Sequence, residues 1–292
     1  MNDPAEREAM FWNPGDDNKV YCELCPNRCV LQDGLSGLCG FRKNIAGKLK
    51  PEGYAKISSI ALDPVEKKPL YMFHPGSRIL SVGGFGCNLK CPFCQNYEIS
   101  SEFTGRLKNA ERILPEQLYS LAKNTIKDDN IGVAYTYNEP LINYEYILDC
   151  AKLIRAGSLY NVLITNGYIN NEPLEMLLPY IDAMNIDLKG FTEEFYKKLG
   201  GDPEPVKQTI VKAAKSCHVE VTTLVIPGEN EREVLDTARW LSSVDSGIPL
   251  HLTRFFPRYK YSDRQPTPKE TIFELIETAK KYLKNVFAGN IS

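Results

Sequence analysis

From Ser77 onward the chain alternates short apolar runs with amphipathic stretches at helical spacing. Aliphatic runs bounded by Gly, Asn or Asp read as strands, and apolar residues recurring every three or four positions read as helix faces. The pattern predicts strands at Arg78–Val82, Ile131–Tyr135, Asn161–Thr165, Ala183–Asp187, Val219–Ile226 and Pro249–Phe255. It predicts helices near Pro115–Lys127, with Leu118, Leu121 and Ile126 on one face, and at Tyr144–Ala156, with Tyr144, Ile147, Leu148, Ala151 and Ile154 at helical spacing. Further helices fall near Glu172–Leu178, Glu193–Leu199, Val206–Lys215, Glu231–Ser242 and Pro268–Lys284, and a last short strand at Asn285–Ala288. Strand–helix alternation implies parallel β/α units. Six units fall short of the eight that close a full barrel. The expected fold class is therefore α/β, an open partial (β/α)6 TIM-like barrel preceded by a small Cys-rich region. Its open side can admit a large substrate, a protein segment included.

The first quarter of the chain lacks this alternation. Residues 1–19 carry Pro4, Pro14, Gly15 and several Asp and Asn, and read as an irregular lead-in with a short helix at Pro4–Met10. Residues 20–74 read as a Cys-rich metal-binding region and connector, with one or two strands within Leu49–Ile60. The connector ends in a Pro-punctuated loop, Asp63–Leu70, and in Phe73-His74-Pro75-Gly76, where His74 reads as a loop histidine. Residues 75–292 form the partial barrel.

Composition narrows the class. A hydrophobic fraction of 43% and a charged fraction of 25% are ordinary for a globular chain. The net charge of −2 invites neither nucleic acid nor an anionic membrane surface. No apolar run reaches the roughly 18 residues of a membrane span, and the acidic stretch Met1–Phe11 does not read as a signal peptide. Nine cysteines in such a chain indicate metal or redox chemistry in a reducing, cytoplasmic setting.

Seven of those cysteines form two groups. Cys87, Cys91 and Cys94 follow the first barrel strand at spacing C-x3-C-x2-C. Three thiolates hold three corners of a [4Fe-4S] cubane and leave the fourth iron open to a small molecule. A zinc site prefers four ligands. Gly83-Gly84-Phe85-Gly86 lets the backbone approach a bulky cluster. Cys22, Cys25, Cys29 and Cys39 lie among turn-forming residues at spacing C-x2-C-x3-C-x9-C. Four ligands suit structural zinc, the preferred reading, or a fully ligated auxiliary iron–sulfur cluster. Cys150 reads as a core thiol, and Cys217 and His218 as packing or surface residues.

Polar residues mark the C-terminal ends of successive strands, where parallel β/α folds place their sites. Asn138-Glu139 follows the second strand, Thr165-Asn166 the third, and Asp187 and Lys189 the fourth. His251 either reaches the cavity or packs within the last main strand. Arg254 and Arg258 either line a substrate channel or form an outer salt-bridged face.

The C-x3-C-x2-C stretch with Phe93 before its last cysteine resembles the radical S-adenosylmethionine (SAM) superfamily. Several further segments narrow this likeness: Leu24–Cys29, Gly37–Arg42, Asp63–Leu70, Cys94–Ser100, Thr136–Pro140, Asn185–Phe191 and Pro249–Tyr259. Together, from about Val20 to Asn290, they resemble the radical SAM enzyme of the AmmeMemoRadiSam system, a relative of the pyruvate formate-lyase activating enzymes. Relatives often continue past Gly289-Asn290 into a tail with further cysteines, whereas this sequence ends at Ser292.

The resemblance implies a [4Fe-4S] cluster and SAM, reductive cleavage of SAM, and a 5′-deoxyadenosyl radical acting on a protein or a small molecule. It assigns the SAM ammonium to Glu139 and its carboxylate to Lys189. Asp187 is left to ribose, or to a monovalent cation beside SAM with Thr165 and Asn185 as further ligands. Phe93 is placed near the adenine, and Asn138, Asn166 and His251 near the cofactor. The family turn is usually Gly-Gly-Glu-Pro-like, and Tyr137-Asn138 stands in place of its glycines. Implied partners are a ferredoxin or flavodoxin as electron donor and AMMECR-type and Memo-type proteins. The competing reading is a non-catalytic iron–sulfur or zinc protein serving electron transfer or scaffolding, which leaves Glu139, Asp187 and Lys189 without a role.

Overall fold

The computed structural model describes residues 7–291. Its main sheet has eight strands: β6 (Ser59–Pro64), β7 (Arg78–Gly83), β8 (Asn130–Thr136), β9 (Tyr160–Thr165), β10 (Ala183–Asp187), β11 (His218–Val225), β12 (Leu250–Arg254) and β13 (Val286–Gly289). The strands lie side by side in chain order, β7 to β13 mutually parallel and β6 antiparallel to β7. Neither β6 nor β13 pairs with the other, so the barrel is open. Between the strands run α1 (Tyr97–Ser100), α2 (Thr104–Lys108), α3 (Pro115–Asn124), α4 (Tyr144–Ala156), α5 (Asn171–Leu177), α6 (Glu193–Leu199), α7 (Pro203–Ala213), α8 (Val234–Asp245) and α9 (Lys269–Ala279).

Central strands of such a sheet meet helices on one face and the lumen on the other, so they are apolar on both. Val133, Ala134, Tyr135, Met184 and Ile186 are accordingly buried. Helix α4 shows the matching logic, since Tyr144, Ile147, Leu148, Ala151 and Ile154 all turn inward. Each such aliphatic side chain contributes about 1.5–3 kcal/mol through burial. Cys150 is buried on the same helix, as a core thiol should be.

Several expectations need correction. Arg7–Met10 forms no helix, and the start of the expected Pro4–Met10 helix lies outside the described residues. The lead-in is not wholly irregular. Trp12–Pro14 forms β1, which pairs with β2 (Val20–Cys22), and β2 pairs in turn with β3 (Val30–Leu31). The connector holds a hairpin, β4 (Arg42–Ile45) with β5 (Lys48–Pro51), and then β6, which belongs to the main sheet. The barrel sheet thus begins at Ser59 rather than near 75. Helix α3 ends at Asn124, short of Ile126; Leu121 and Ile126 are exposed, and only Leu118 of the expected face is buried. The short helices α1 and α2 carry too few apolar repeats to show in the pattern.

The small N-terminal region docks on α4. Tyr54 donates to Asp149 at 2.7 Å and meets Tyr146 edge-on at 5.6 Å between centroids. Phe11 meets Tyr144 edge-on at 5.0 Å. Below these, the buried Arg42 and Glu145 pair at 3.1 Å.

The lower end of the barrel is closed by the loop between β6 and β7. Glu220, fully buried on β11, accepts the backbone N–H of Tyr71 and Met72 at 3.0 and 2.8 Å. Its oxygens also meet His218 Nε2 at 2.9 Å and His251 Nε2 at 2.6 Å. Burial by itself would raise this carboxyl, but the histidine and backbone hydrogen bonds outweigh burial and hold it at about 2. Because the folded value is depressed, Glu220 stabilises the fold above its unfolded value of about 4.5 and loses that contribution as pH falls toward 2. The shift corresponds to about 3 kcal/mol. Urea unfolding between pH 7 and pH 3 is expected to show Glu220→Gln less stable than the parent at neutral pH, with the gap narrowing on acidification. An unchanged gap would contradict this role.

Candidate active site

The first cysteine group sits on the loop that leaves β7. Gly86 there has φ of +83°, and a Cβ at this position would lie 2.6 Å from the Cys39 carbonyl and 2.8 Å from Ile142. Only glycine permits both the left-handed backbone and this approach. The loop is then pinned residue by residue. Lys90 N–H donates to the Leu199 carbonyl at 2.7 Å, and Asn88 Nδ2 to the Tyr168 carbonyl at 2.7 Å. Cys94 N–H closes a turn on the Cys91 carbonyl at 3.2 Å. Cys87 Sγ accepts Leu89 N–H at 3.4 Å and Asn166 Nδ2 at 3.6 Å.

Cys87, Cys91 and Cys94 all line one cavity of about 370 Å³ at the C-terminal ends of the strands. Glu139, Asp187 and Lys189 line it as well. Burial raises the Cys87 thiol, and the nearby Glu139 adds to this. Burial likewise pushes Cys91 up to about 11, against the lowering effect of Lys189. Such groups become thiolates by coordinating a metal. Among the described residues no three Cys, His, Asp or Glu side chains converge on one ion position. Three cysteines on a cavity that also holds Glu139, Asp187 and Lys189 are the donor set that would hold a cluster by three thiolates.

Glu139 follows β8 and is 2% exposed. It accepts Thr165 Oγ1 at 2.7 Å and the backbone N–H of Asn166 and Leu141 at 2.7 and 2.9 Å. Burial raises its pKa to about 7 in spite of these bonds. A cationic group in the cavity would favour its ionised form. Thr165 and Asn166, at the end of β9, thus orient Glu139, and Asn166 also touches Cys87. Lys189 Nζ bonds Asp187 at 2.6 Å. Burial opposes charge on Lys189, yet Asp187 outweighs burial and raises its pKa. Phe93 is buried on the cavity wall between Phe195 and Tyr261, at 6.2 and 6.0 Å between centroids.

Three sequence assignments change. His251 sits near the start of β12, buried against Glu220, and does not line the cavity. Its place in the barrel-floor network follows from its position low on the strand. Asn138 lines the cavity, but its amide is engaged by the cysteine loop. It accepts Gly84 N–H at 2.9 Å and donates to the Gly86 carbonyl at 3.0 Å. The side chain that replaces a glycine of the family turn therefore braces the loop. Asn185 is bonded to the Pro69 carbonyl and to Thr222, at 2.8 and 3.0 Å, away from Asp187's partner Lys189.

Two cavity residues, Lys68 and Tyr137, and the Asp63 carboxylate that joins them escaped the sequence reading. Lys68, 3% exposed, pairs with Asp63 at 2.9 Å and lies 4.5 Å from the Tyr137 ring centroid. Tyr137 donates to the same Asp63 carboxylate at 2.9 Å. Burial would raise Asp63, but the Lys68 and Tyr137 hydrogen bonds bring it down to about 2. Lys68 and Tyr137 line the same cavity as Asp187 and Lys189. A lysine in a Pro-rich loop carries no periodic signal.

The second cysteine group lies beside this site. Cys22 and Cys39 are buried, and Cys25 and Cys29 are partly exposed. The absence of a single-ion arrangement among the described residues covers this group too.

A model of the Radical SAM superfamily matches residues 81–241, more than half of the chain. The chain belongs to the radical SAM superfamily. It is 41% identical over 98% of its length to the uncharacterized protein MJ0808 of Methanocaldococcus jannaschii, covering 85% of that protein. It is 25% identical to the pyruvate formate-lyase-activating enzyme of Clostridium pasteurianum, over 69% of this chain and 88% of that one. The solved structure of QueE from Escherichia coli superposes with a TM-score of 0.51 at 13% identity, covering 80% of this chain and 92% of that one. Streptococcus suis SuiB bound to S-adenosylmethionine gives 0.53 at 12% identity, over 70% of this chain and 47% of that one. These structures share the radical SAM fold. Among the described residues no helix is long and apolar enough to cross a membrane.

Asn138→Ala removes two hydrogen bonds that fix the cysteine loop, a loss of about 1–3 kcal/mol. Anaerobic reconstitution is expected to give lower iron occupancy in this variant than in Asn138→Gln or Asn138→Asp controls that keep part of the bracing. Full occupancy in the alanine variant would refute the role.

Proposed function

We propose that this radical SAM enzyme cleaves S-adenosylmethionine reductively and directs the resulting radical to a polar substrate, a protein segment as in the pyruvate formate-lyase activases. The observation that carries the reading is the convergence of Cys87, Cys91, Cys94, Glu139, Asp187 and Lys189 on one cavity. With a [4Fe-4S] cluster on the three thiolates, one electron delivered to SAM on its open iron supplies methionine and a 5′-deoxyadenosyl radical.

The chain's own residues perform the rest. Glu139, held by Thr165 and Asn166, accepts the methionyl ammonium. Lys189, kept protonated by Asp187, offers its ammonium to the methionyl carboxylate. Asp187 has a second oxygen for ribose or a monovalent cation. Phe93 excludes water from the cavity wall, which protects a radical from quenching. Lys68 and Tyr137, both bonded to Asp63, form the wall available to substrate. Their adjacent ammonium, carboxylate and hydroxyl match a polar group with both donors and acceptors, such as a peptide backbone. A ferredoxin or flavodoxin is the proposed electron donor, and AMMECR-type and Memo-type proteins are proposed partners.

Anaerobic protein given dithionite and SAM is expected to form 5′-deoxyadenosine, with Cys91→Ala reducing formation to background. Equal product from parent and variant, or none from either, would sink the reading. Glu139→Gln and Lys189→Met are expected to weaken SAM binding by roughly 10- to 100-fold, about 1.4–2.7 kcal/mol, without changing iron content. Titration calorimetry on reconstituted protein checks this.

A further inference from the structure

One part of the cavity is left over once the residues given to the cofactor are set aside. Lys67, Lys68 and Tyr137 line it together with Glu139, Asp187 and Lys189. Both leftover lysines belong to the loop between β6 and β7, and that loop is tied down. Val65 and Leu70, on either side of the pair, are fully buried. The Pro69 carbonyl accepts Asn185 Nδ2 from β10 at 2.8 Å, and the backbone N–H groups of Tyr71 and Met72 are held by Glu220 on β11. A ligand therefore meets these lysines without the cost of ordering their loop.

The charges here do not balance. Asp63 accepts Lys68 Nζ and the Tyr137 hydroxyl on one oxygen, each at 2.9 Å, and Lys67 Nζ on the other at 3.4 Å. One carboxylate thus serves two ammonium groups, and Asp63 does not itself line the cavity. Lys68 is 3% exposed, and Asp63 is its one hydrogen-bond partner among the described residues. An ammonium has three donors, so two are left without a hydrogen-bond acceptor. A buried cation with idle donors is costly unless an acceptor completes it. Lys67, whose side chain is mostly exposed, makes only the longer contact and keeps its own donors open.

Tyr137 supplies an independent observation. Its φ is +72°, in the left-handed region that a bulky side chain rarely enters. Glycine would occupy this turn without strain. Tyrosine is instead pinned at both ends, its hydroxyl on Asp63 and its carbonyl on Asn96 Nδ2 at 2.6 Å. Strain held in this way clusters at active sites and ligand clamps. What it secures here is an aromatic ring whose centroid lies 4.5 Å from Lys68 Nζ. The ring excludes water from one side of that ammonium, which strengthens its pull on an anion.

We propose that Lys67 and Lys68, framed by Tyr137, form a carboxylate-binding subsite that holds an acidic group of the substrate beside the S-adenosylmethionine site. Lys68 supplies the desolvated charge and Lys67 the exposed one. In a protein segment the acidic group is an Asp or Glu side chain next to the residue attacked. A free small carboxylic acid offers the same chemistry. The subsite makes and breaks no bond; it selects and positions. The inference rests on the reading of this cavity, given above, as the place where the radical meets its substrate.

The test is titration calorimetry on anaerobically reconstituted protein loaded with S-adenosylmethionine and left unreduced. The probes are acetyl-Glu-Gly-Glu-amide, acetyl-Gln-Gly-Gln-amide and glutarate. The Glu peptide or glutarate is expected to bind about tenfold or more tightly than the Gln peptide at low salt, a preference that added salt shrinks. Lys67→Met is expected to remove most of that preference. So is the paired change Asp63→Asn/Lys68→Met, which leaves no buried charge alone. The Glu peptide binding better than glutarate supports the subsite with a protein segment as its source, and the reverse supports it with a small acid. Equal binding of the two peptides and glutarate, a preference that survives both variants, or no binding by any probe would overturn the proposal. Protein that forms 5′-deoxyadenosine with dithionite but shows no carboxylate preference would defeat this inference alone. A carboxylate preference in protein that forms none would defeat the functional reading alone.

Discussion

The structure depends on one close approach, at Gly86. Its backbone passes so near the Cys39 carbonyl and Ile142 that no side chain fits there. Three parts of the molecule meet at this residue: the end of β7, the N-terminal cysteine region, and the turn that follows β8. The Gly86 carbonyl accepts Asn138 Nδ2, and its N–H donates to the Ile99 carbonyl at 2.8 Å. Moving this point would displace Cys87 directly, Glu139 through Asn138, and Cys39 through steric contact. The two cysteine groups are thus one packing problem, although the chain separates them by a hairpin and the two strands β6 and β7 with their loop.

The same economy governs the polar residues of the barrel. Parallel strands end at a common level, so each can present one polar side chain to the next. Glu139 is held by Thr165 and Asn166 on the neighbouring strand end, and Asn166 reaches Cys87. Asp187 on the following strand holds Lys189. Burial of Glu139 and Glu220 costs desolvation, which neighbouring side chains and backbone amides offset rather than solvent. At the lower end, Glu220 applies the same rule with His218, His251 and two backbone amides. One strand position, upper or lower, decides whether a polar residue serves the cavity or closes the floor.

That distinction explains what the sequence made legible. Strand and helix positions were readable because burial on both faces of β8 and β10, and on one face of α4, imposes apolar periodicity. Cys87, Cys91, Cys94, Glu139, Asp187 and Lys189 were readable because spacing and strand-end position carry chemical meaning. Height within a strand carries no such mark, so the sequence leaves His251 between the cavity and a packed position, and its place near the start of β12 against Glu220 decides for the latter. Asn138 was assigned to the cofactor because the turn it occupies usually holds glycine there. Its hydrogen bonds run to Gly84 and Gly86, contacts between distant segments that no local pattern encodes. Lys68 and Arg42 were missed for the same reason, each being a buried cation whose partner comes from another element.

Arg42 shows how far such a residue can constrain the rest. It lies between Glu145 on α4 and the sulfurs of the N-terminal region, with two nitrogens unpartnered among the described residues. Glu145 also accepts Met10 N–H at 2.6 Å, which leaves one buried oxygen unpaired as well. An ion pair so incompletely satisfied is a poor source of stability in itself. Placed between α4 and four thiolates, it makes docking of the N-terminal region sensitive to the charge those thiolates carry. Arg42 binds this region to α4 through Glu145, and the contact of Gly86 with the Cys39 carbonyl binds it to the cysteine loop, so the N-terminal region is held from both sides at once.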